Sequence, residues 1–166
     1  MEIRIAGTVN DSIVDGFGIR FTVFTQGCPH NCEGCHNPQT HDFAGGTLTD
    51  TDELLDKIKA NPLLDGVTFS GGEPFAQAKA LAYLGKQIKD LGLNIVTYTG
   101  YTFEKLYTDR DKNGWGELLA VTDYLIDGPF ILAEKSYDVK FRGSKNQRYI
   151  DCQASLKDGR AVEENI

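Results

Sequence analysis

Apolar side chains along this chain change their period several times, and each change predicts an element. Residues 19–25, "IRFTVFT", are β-branched and aromatic, which predicts a strand ending at Gly27. In "TDTDELLDKIKA" (49–60), Leu54, Leu55 and Ile58 share one side of a helix. A Thr or Asp caps it, acids fill its first turn, and Asn61-Pro62 stops it. "GVTFS" (66–70) is a short apolar strand running into the tight loop "GGEP" (71–74). Leu81, Leu84, Ile88 and Leu91 recur at helical spacing through 75–92, with Gly92 as the stop. "LNIVTYT" (93–99) predicts the next strand, weaker helices follow at 103–107 and 115–120, and "TDYLID" (122–127) predicts another strand. Beyond 129 the pattern thins. "QRYIDCQ" (147–153) reads as an edge strand, and the polar end "LKDGRAVEENI" is expected to fray.

Strands alternating with helices mean βαβ units and a parallel sheet with right-handed crossovers. A closed eight-fold barrel takes about 250 residues, and this chain has 166. The expectation is therefore one domain over 1–166, an open, partial (β/α) barrel. Its mostly parallel, curved sheet would have about five or six strands, at roughly 30 residues per unit. Ligands of such sheets sit at the C-terminal strand ends. The loop after 19–25, the GGEP loop and Asp127-Gly128 would all lie there.

Composition narrows the function classes. Net charge is −7 and the isoelectric point about 4.9, which argues against broad electrostatic attachment to nucleic acid or an anionic membrane. The Met1 end has no basic stretch followed by an apolar run, and no window holds eighteen apolar residues. A cytoplasmic location is expected. In a reducing compartment, clustered cysteines read as metal-binding or catalytic before disulfide.

The cluster is "QGCPHNCEGCHNPQ" (26–39), with Cys28, Cys32 and Cys35 spaced C-x3-C-x2-C. Three chemistries are open to it. A disulfide pair would leave one thiol over. A structural zinc site would need a fourth ligand, and His41 is available, although C-x3-C-x2-C-x5-H is not a familiar zinc spacing. An iron–sulfur cluster held by three thiolates would leave one iron with an open position. In the GGEP loop, Gly71 and Gly72 free the backbone for close approach to a ligand, Glu73 offers a carboxylate, and Pro74 starts the helix. Alone, that loop is also an ordinary strand-to-helix turn.

C-x3-C-x2-C after one strand with G-G-E-P after the next resembles the radical S-adenosylmethionine enzymes. The resemblance implies a [4Fe-4S] cluster on Cys28, Cys32 and Cys35 whose open iron chelates the amino and carboxylate groups of S-adenosylmethionine. Reductive cleavage of the sulfonium would then give methionine and a 5′-deoxyadenosyl radical. Gly71, Gly72 and Glu73 would receive the cofactor's amino group. Many members have an aromatic residue where Gly34 stands. "CEGCHN", "DGPF" (127–130) and "FRGSKNQR" (141–148) resemble instead the small activators of anaerobic ribonucleotide reductases. That branch would place Gly34, His36, Asn37 and Asp127 beside the cofactor. It implies a protein substrate, the large subunit of the reductase, and a flavodoxin-type electron donor. "DGFGIRF" (15–21) resembles a stretch of glycyl-radical activating enzymes that has Pro where Phe17 stands; for Phe17 the preferred reading is a glycine turn feeding the first strand. Tyr98, Thr99 and Gly100 are candidates for the ribose side. Lys135, Lys140, Arg142, Lys145 and Arg148 form a basic segment suited to a partner or a carboxylate, or simply solvated. Cys152 reads as an ordinary thiol in a strand. Two further readings stay open: an activase of another glycyl-radical enzyme such as pyruvate formate-lyase, and a non-catalytic, zinc-stabilised interaction module.

Overall fold

The computed structural model describes residues 1–166. Its strands are β1 (Glu2–Ser12), β2 (Arg20–Thr25), β3 (Thr47–Asp50), β4 (Gly66–Gly71), β5 (Asn94–Tyr98), β6 (Tyr124–Asp127) and β7 (Arg148–Asp151). Its helices are α1 (Thr51–Lys59), α2 (Ala78–Asp90), α3 (Phe103–Thr108), α4 (Trp115–Val121) and α5 (Cys152–Asp158). All seven strands form one sheet in the order β3-β1-β2-β4-β5-β6-β7. The pairs β2–β4, β4–β5 and β5–β6 are parallel. The pairs β1–β2, β1–β3 and β6–β7 are antiparallel. The sheet is open, with β3 and β7 at its edges, because nothing joins them.

The central βα units match the sequence expectation; the flanks do not. Strand count is seven rather than five or six, and parallel pairing is confined to the centre. β1 gives only a weak sequence signal because Ile3 and Ile5 alternate cleanly but the run that follows, Ala6-Gly7-Thr8-Val9-Asn10-Asp11-Ser12, has a single large apolar residue. β3 shares Thr49 and Asp50 with the predicted helix start. The helix itself begins at Thr51, where the Asp50 side chain accepts from the Asp52 N–H as cap. Cys152 opens α5 rather than sitting in a strand, because Asp151 accepts from the Ala154 N–H and caps a helix there. The tail is held rather than frayed: Asp151 N–H donates to Val162 O and Glu164 N–H to Tyr149 O.

The period-2 alternation of the parallel strands divides the sheet's two faces. Val67, Phe69, Ile95 and Leu125 join the main core with Leu54, Ile58, Leu81, Leu84, Leu118 and Leu119 of α1, α2 and α4. Each fully buried Leu, Ile or Phe contributes about 1.5–3 kcal/mol. The opposite face carries Thr22, Thr68, Val96 and Ile126, all buried. Arg20 lies there too, donating to Thr68 Oγ1 and to the carbonyls of Phe17 and Val67. Burial lowers its pKa from the ordinary value. No helix is long and apolar enough to cross a membrane.

Candidate cluster and cofactor site

Four parallel strands end at one edge of the sheet, and their loops enclose a cavity of about 630 Å³. That size falls in the ~300–1,000 Å³ range of small-molecule sites. Phe24, Ser70 and Tyr98 reach it from the strand ends on the helix-free face.

β2 delivers the cysteine loop. Gly27, with φ +104°, turns the chain out of the strand. Gly27 N–H donates to Thr40 O (2.7 Å) and Cys28 N–H to His41 O (3.2 Å), closing the loop at its base. The buried Gln26 side chain donates to the carbonyls of Gln39 (3.0 Å) and Asp42 (2.7 Å), holding the returning limb. Cys28, Cys32 and Cys35 then all line the cavity, half-buried and unbridged. Burial pushes the Cys28 thiol up, a hydrogen bond from the His30 backbone works against it, and Glu73 and the other two thiols push the same way as burial. Three thiols on one wall offer sulfur donors to a cationic core, which would take them as thiolates. His41 also lines the cavity. No three His, Cys, Asp or Glu side chains, however, are gathered about one point as a single ion requires. Three cysteine sulfurs on one cavity are nonetheless a donor set of the kind that holds an iron–sulfur cluster.

β4 delivers the glycine loop. Gly71 (φ +95°) and Gly72 pass so close to the cysteine loop that a Cβ would lie 2.4 Å from Thr25 N or from Gly27 O. Gly72 N–H donates to Thr25 O and Glu73 N–H to Gly27 O, both at 2.8 Å. Both glycines line the cavity. Glu73, which follows them, is not among the lining residues. It is fully buried. Oε1 accepts from His30 Nε2 (2.5 Å), Gly100 N–H (2.8 Å) and Thr99 O–H (3.0 Å); Oε2 accepts from Phe75 N–H (3.0 Å) and Thr99 O–H (2.9 Å). Both carboxylate oxygens thus already have donors, with the single Thr99 hydroxyl shared between them.

Asp127 is held in the same way. It ends β6 at 1% exposure and accepts from Arg148 Nε and Nη2 and from Phe103 N–H. It forms an ion pair with Arg148, and the next residue, Gly128, lines the cavity. The same pairing holds the Arg148 guanidinium above its ordinary range. Gly34 packs against Leu132, where a Cβ would meet Cδ1 at 2.8 Å, and does not line the cavity. His36 and Asn37 do, with the His36 ring 5.1 Å from that of Phe130. Tyr98, Thr99 and Gly100 also line it. Of the basic segment, Lys135 and Arg142 reach the cavity. Asp15 lines it too, its carboxylate accepting from Ser12 and Thr22 hydroxyls. Three residues escaped sequence reasoning: His30, Gln26 and Gln77. Gln77 exchanges hydrogen bonds with the Arg4 backbone. Their partners are 13 to 73 residues away, so no local pattern signals them.

Comparison with known proteins agrees with this geometry. Residues 14–150 match the family model described as a 4Fe-4S single cluster domain. The chain is 35% identical over 145 residues to the anaerobic ribonucleoside-triphosphate reductase-activating protein of Vibrio cholerae, covering 81% of this chain and 89% of that one. It is 32% identical over the same shares to the protein of that name from Haemophilus influenzae. It is also 47% identical to the pyruvate formate-lyase-activating enzyme of Listeria monocytogenes, covering 93% of this chain but 64% of that one. The chain belongs to the 4Fe-4S single cluster domain family of radical S-adenosylmethionine activating enzymes.

Proposed function

We propose that this protein, working as one domain in the cytoplasm, activates an anaerobic ribonucleoside-triphosphate reductase by generating a glycyl radical on it. The observation that carries the reading is the gathering of Cys28, Cys32 and Cys35 with Gly71 and Gly72 on one cavity at the strand ends. The match to reductase-activating proteins over nearly their full length supports the choice of partner. Four free cysteines suit a reducing compartment.

When bound, a [4Fe-4S] cluster and S-adenosylmethionine supply one-electron cleavage of a C–S bond and a radical able to take a hydrogen atom from a glycine Cα. The chain's own work is placement. Cys28, Cys32 and Cys35 would ligate three irons. The Gly71–Gly72 backbone, bare of side chains, would lie against the cofactor's amino end. Lys135 and Arg142 bring positive charge to the cavity and would meet its carboxylate or an acidic partner surface. His36 and Asn37 flank the third cysteine. Tyr98 and Thr99 bound the floor. An electron would come from a flavodoxin-type donor.

The test is partner choice. The reconstituted, reduced protein is mixed with S-adenosylmethionine and either the anaerobic reductase or pyruvate formate-lyase, and electron paramagnetic resonance is recorded. A glycyl doublet with the reductase alone supports the assignment. A doublet with the lyase alone transfers the activity to the other class of activase.

A further inference from the structure

Between Cys28 and Cys32 the chain has almost nothing to hold it. Pro29 and Asn31 are exposed, and residues 29–31 make no backbone–backbone hydrogen bond; the only backbone contact there is the short one from His30 to the Cys28 thiol within the same loop. One side chain crosses the gap. His30 places Nε2 2.5 Å from Glu73 Oε1. A carboxylate only accepts, so the imidazole donates. The ring lies edge-on to Tyr101, with centroids 4.5 Å apart at 74°. Gly100 is approached so closely that a Cβ there would sit 2.5 Å from His30 Cδ2. Glu73 also grips the base of the cysteine loop through its own N–H to Gly27 O. A carboxylate buried this deeply is tolerated only with every oxygen satisfied, and His30 is one of its donors.

We infer that His30 is a positioning residue that fixes the spacing of Cys28 and Cys32 by tying their loop to buried Glu73, and through it to the Thr99–Gly100 turn. The inference rests on the cysteines being cluster ligands, as proposed above. It makes three loops from β2, β4 and β5 a single frame, so that the thiols keep their separation whether or not iron is present. Partners behind metal ligands typically tune affinity or activity by about 10–100-fold.

The experiment compares wild type, His30→Ala, His30→Gln, Glu73→Gln and the double variant His30→Ala/Glu73→Gln as anaerobically reconstituted proteins. The readouts are the resonance g values and midpoint potential of the reduced cluster, the S-adenosylmethionine dissociation constant, and amide exchange across residues 28–36 and 99–101. His30→Ala is expected to shift the g values, weaken cofactor binding by about tenfold and speed exchange in both segments. His30→Gln, which keeps a donor, should recover most of each effect. The double variant should be no worse than Glu73→Gln alone, because both changes cut one link. Unchanged g values and affinity in His30→Ala, or effects that add in the double variant, overturn the inference. Should His30→Ala fail to fold, His30→Leu takes its place against His30→Gln, and equal behaviour of that pair overturns it. If wild type itself loads no cluster, the ligand reading fails separately; amide exchange then decides the tie, and wild-type exchange rates in His30→Ala overturn it.

Discussion

Replacing any one of Cys28, Cys32 or Cys35 with Ala is expected to abolish 5′-deoxyadenosine formation, because two thiolates cannot hold three corners of a cluster. Cys152→Ala should keep that activity. Its thiol is fully buried under α4, donating to Leu119 O, so its loss should cost only roughly 1 kcal/mol of stability by denaturant unfolding. Product from a Cys32→Ala variant would contradict the ligand assignment. Arg148→Ala tests the ion pair at Asp127. Removing the guanidinium leaves a carboxylate at 1% exposure without its counterion, which should cost about 3 kcal/mol, read as a lower urea midpoint. A loss under about 1 kcal/mol, the worth of a surface pair, would show that the pair does not bear on the fold. At this scale the three cysteines were legible because their relation is local, inside eight positions. Glu73 was half legible. Its place in the loop could be read, but the donors that consume it lie 26 to 43 residues away, apart from the neighbouring Phe75 N–H. A carboxylate in a binding loop therefore looked unpartnered when it already has donors.

Among the elements, the junction between the ends of β2 and β4 matters most to the site. Gly72→Ala would drive a methyl to within 2.4 Å of Gly27 O and 2.9 Å of Thr40 O. These are backbone atoms, which cannot swing aside as a side chain would. The cysteine loop must then shift, and the expected outcome is a protein that takes up less iron and whose KM for S-adenosylmethionine rises at least about tenfold, if outer-shell behaviour is the guide. Wild-type iron content and KM would show the contact to be soft. Long periodic segments such as α2 and β5 were legible because packing and propensity agree there. The antiparallel flanks were not. β3 is four residues long and exposed on its first two, and its pairing to β1 is a tertiary fact. The change from β7 to α5 turns on one capping aspartate, Asp151, inside an otherwise strand-like run.

The whole molecule should lose stability in alkali. Burial pushes the Cys152 thiol from 9.0 up to about 12 and the Tyr149 hydroxyl from 10.0 up to about 12. Where the unfolded chain has released these protons and the folded one has not, unfolding is favoured. The contribution is therefore complete below about pH 9 and drains away as the pH rises toward 12. Urea midpoints measured across that interval should fall, and fall less steeply in Cys152→Ala; an identical slope in the variant would refute the contribution of Cys152. The open sheet, with its strand-end cavity in reach of a protein partner, serves one claim: three thiolates leave a fourth iron uncovered for S-adenosylmethionine. The most direct measurement is anaerobic reconstitution with iron and sulfide, metal and sulfide analysis, then reduction with S-adenosylmethionine and assay of 5′-deoxyadenosine. The account predicts about four irons per chain and product that disappears with the Cys35→Ala variant. Zinc in place of iron, or a loaded cluster that yields no 5′-deoxyadenosine, would contradict it.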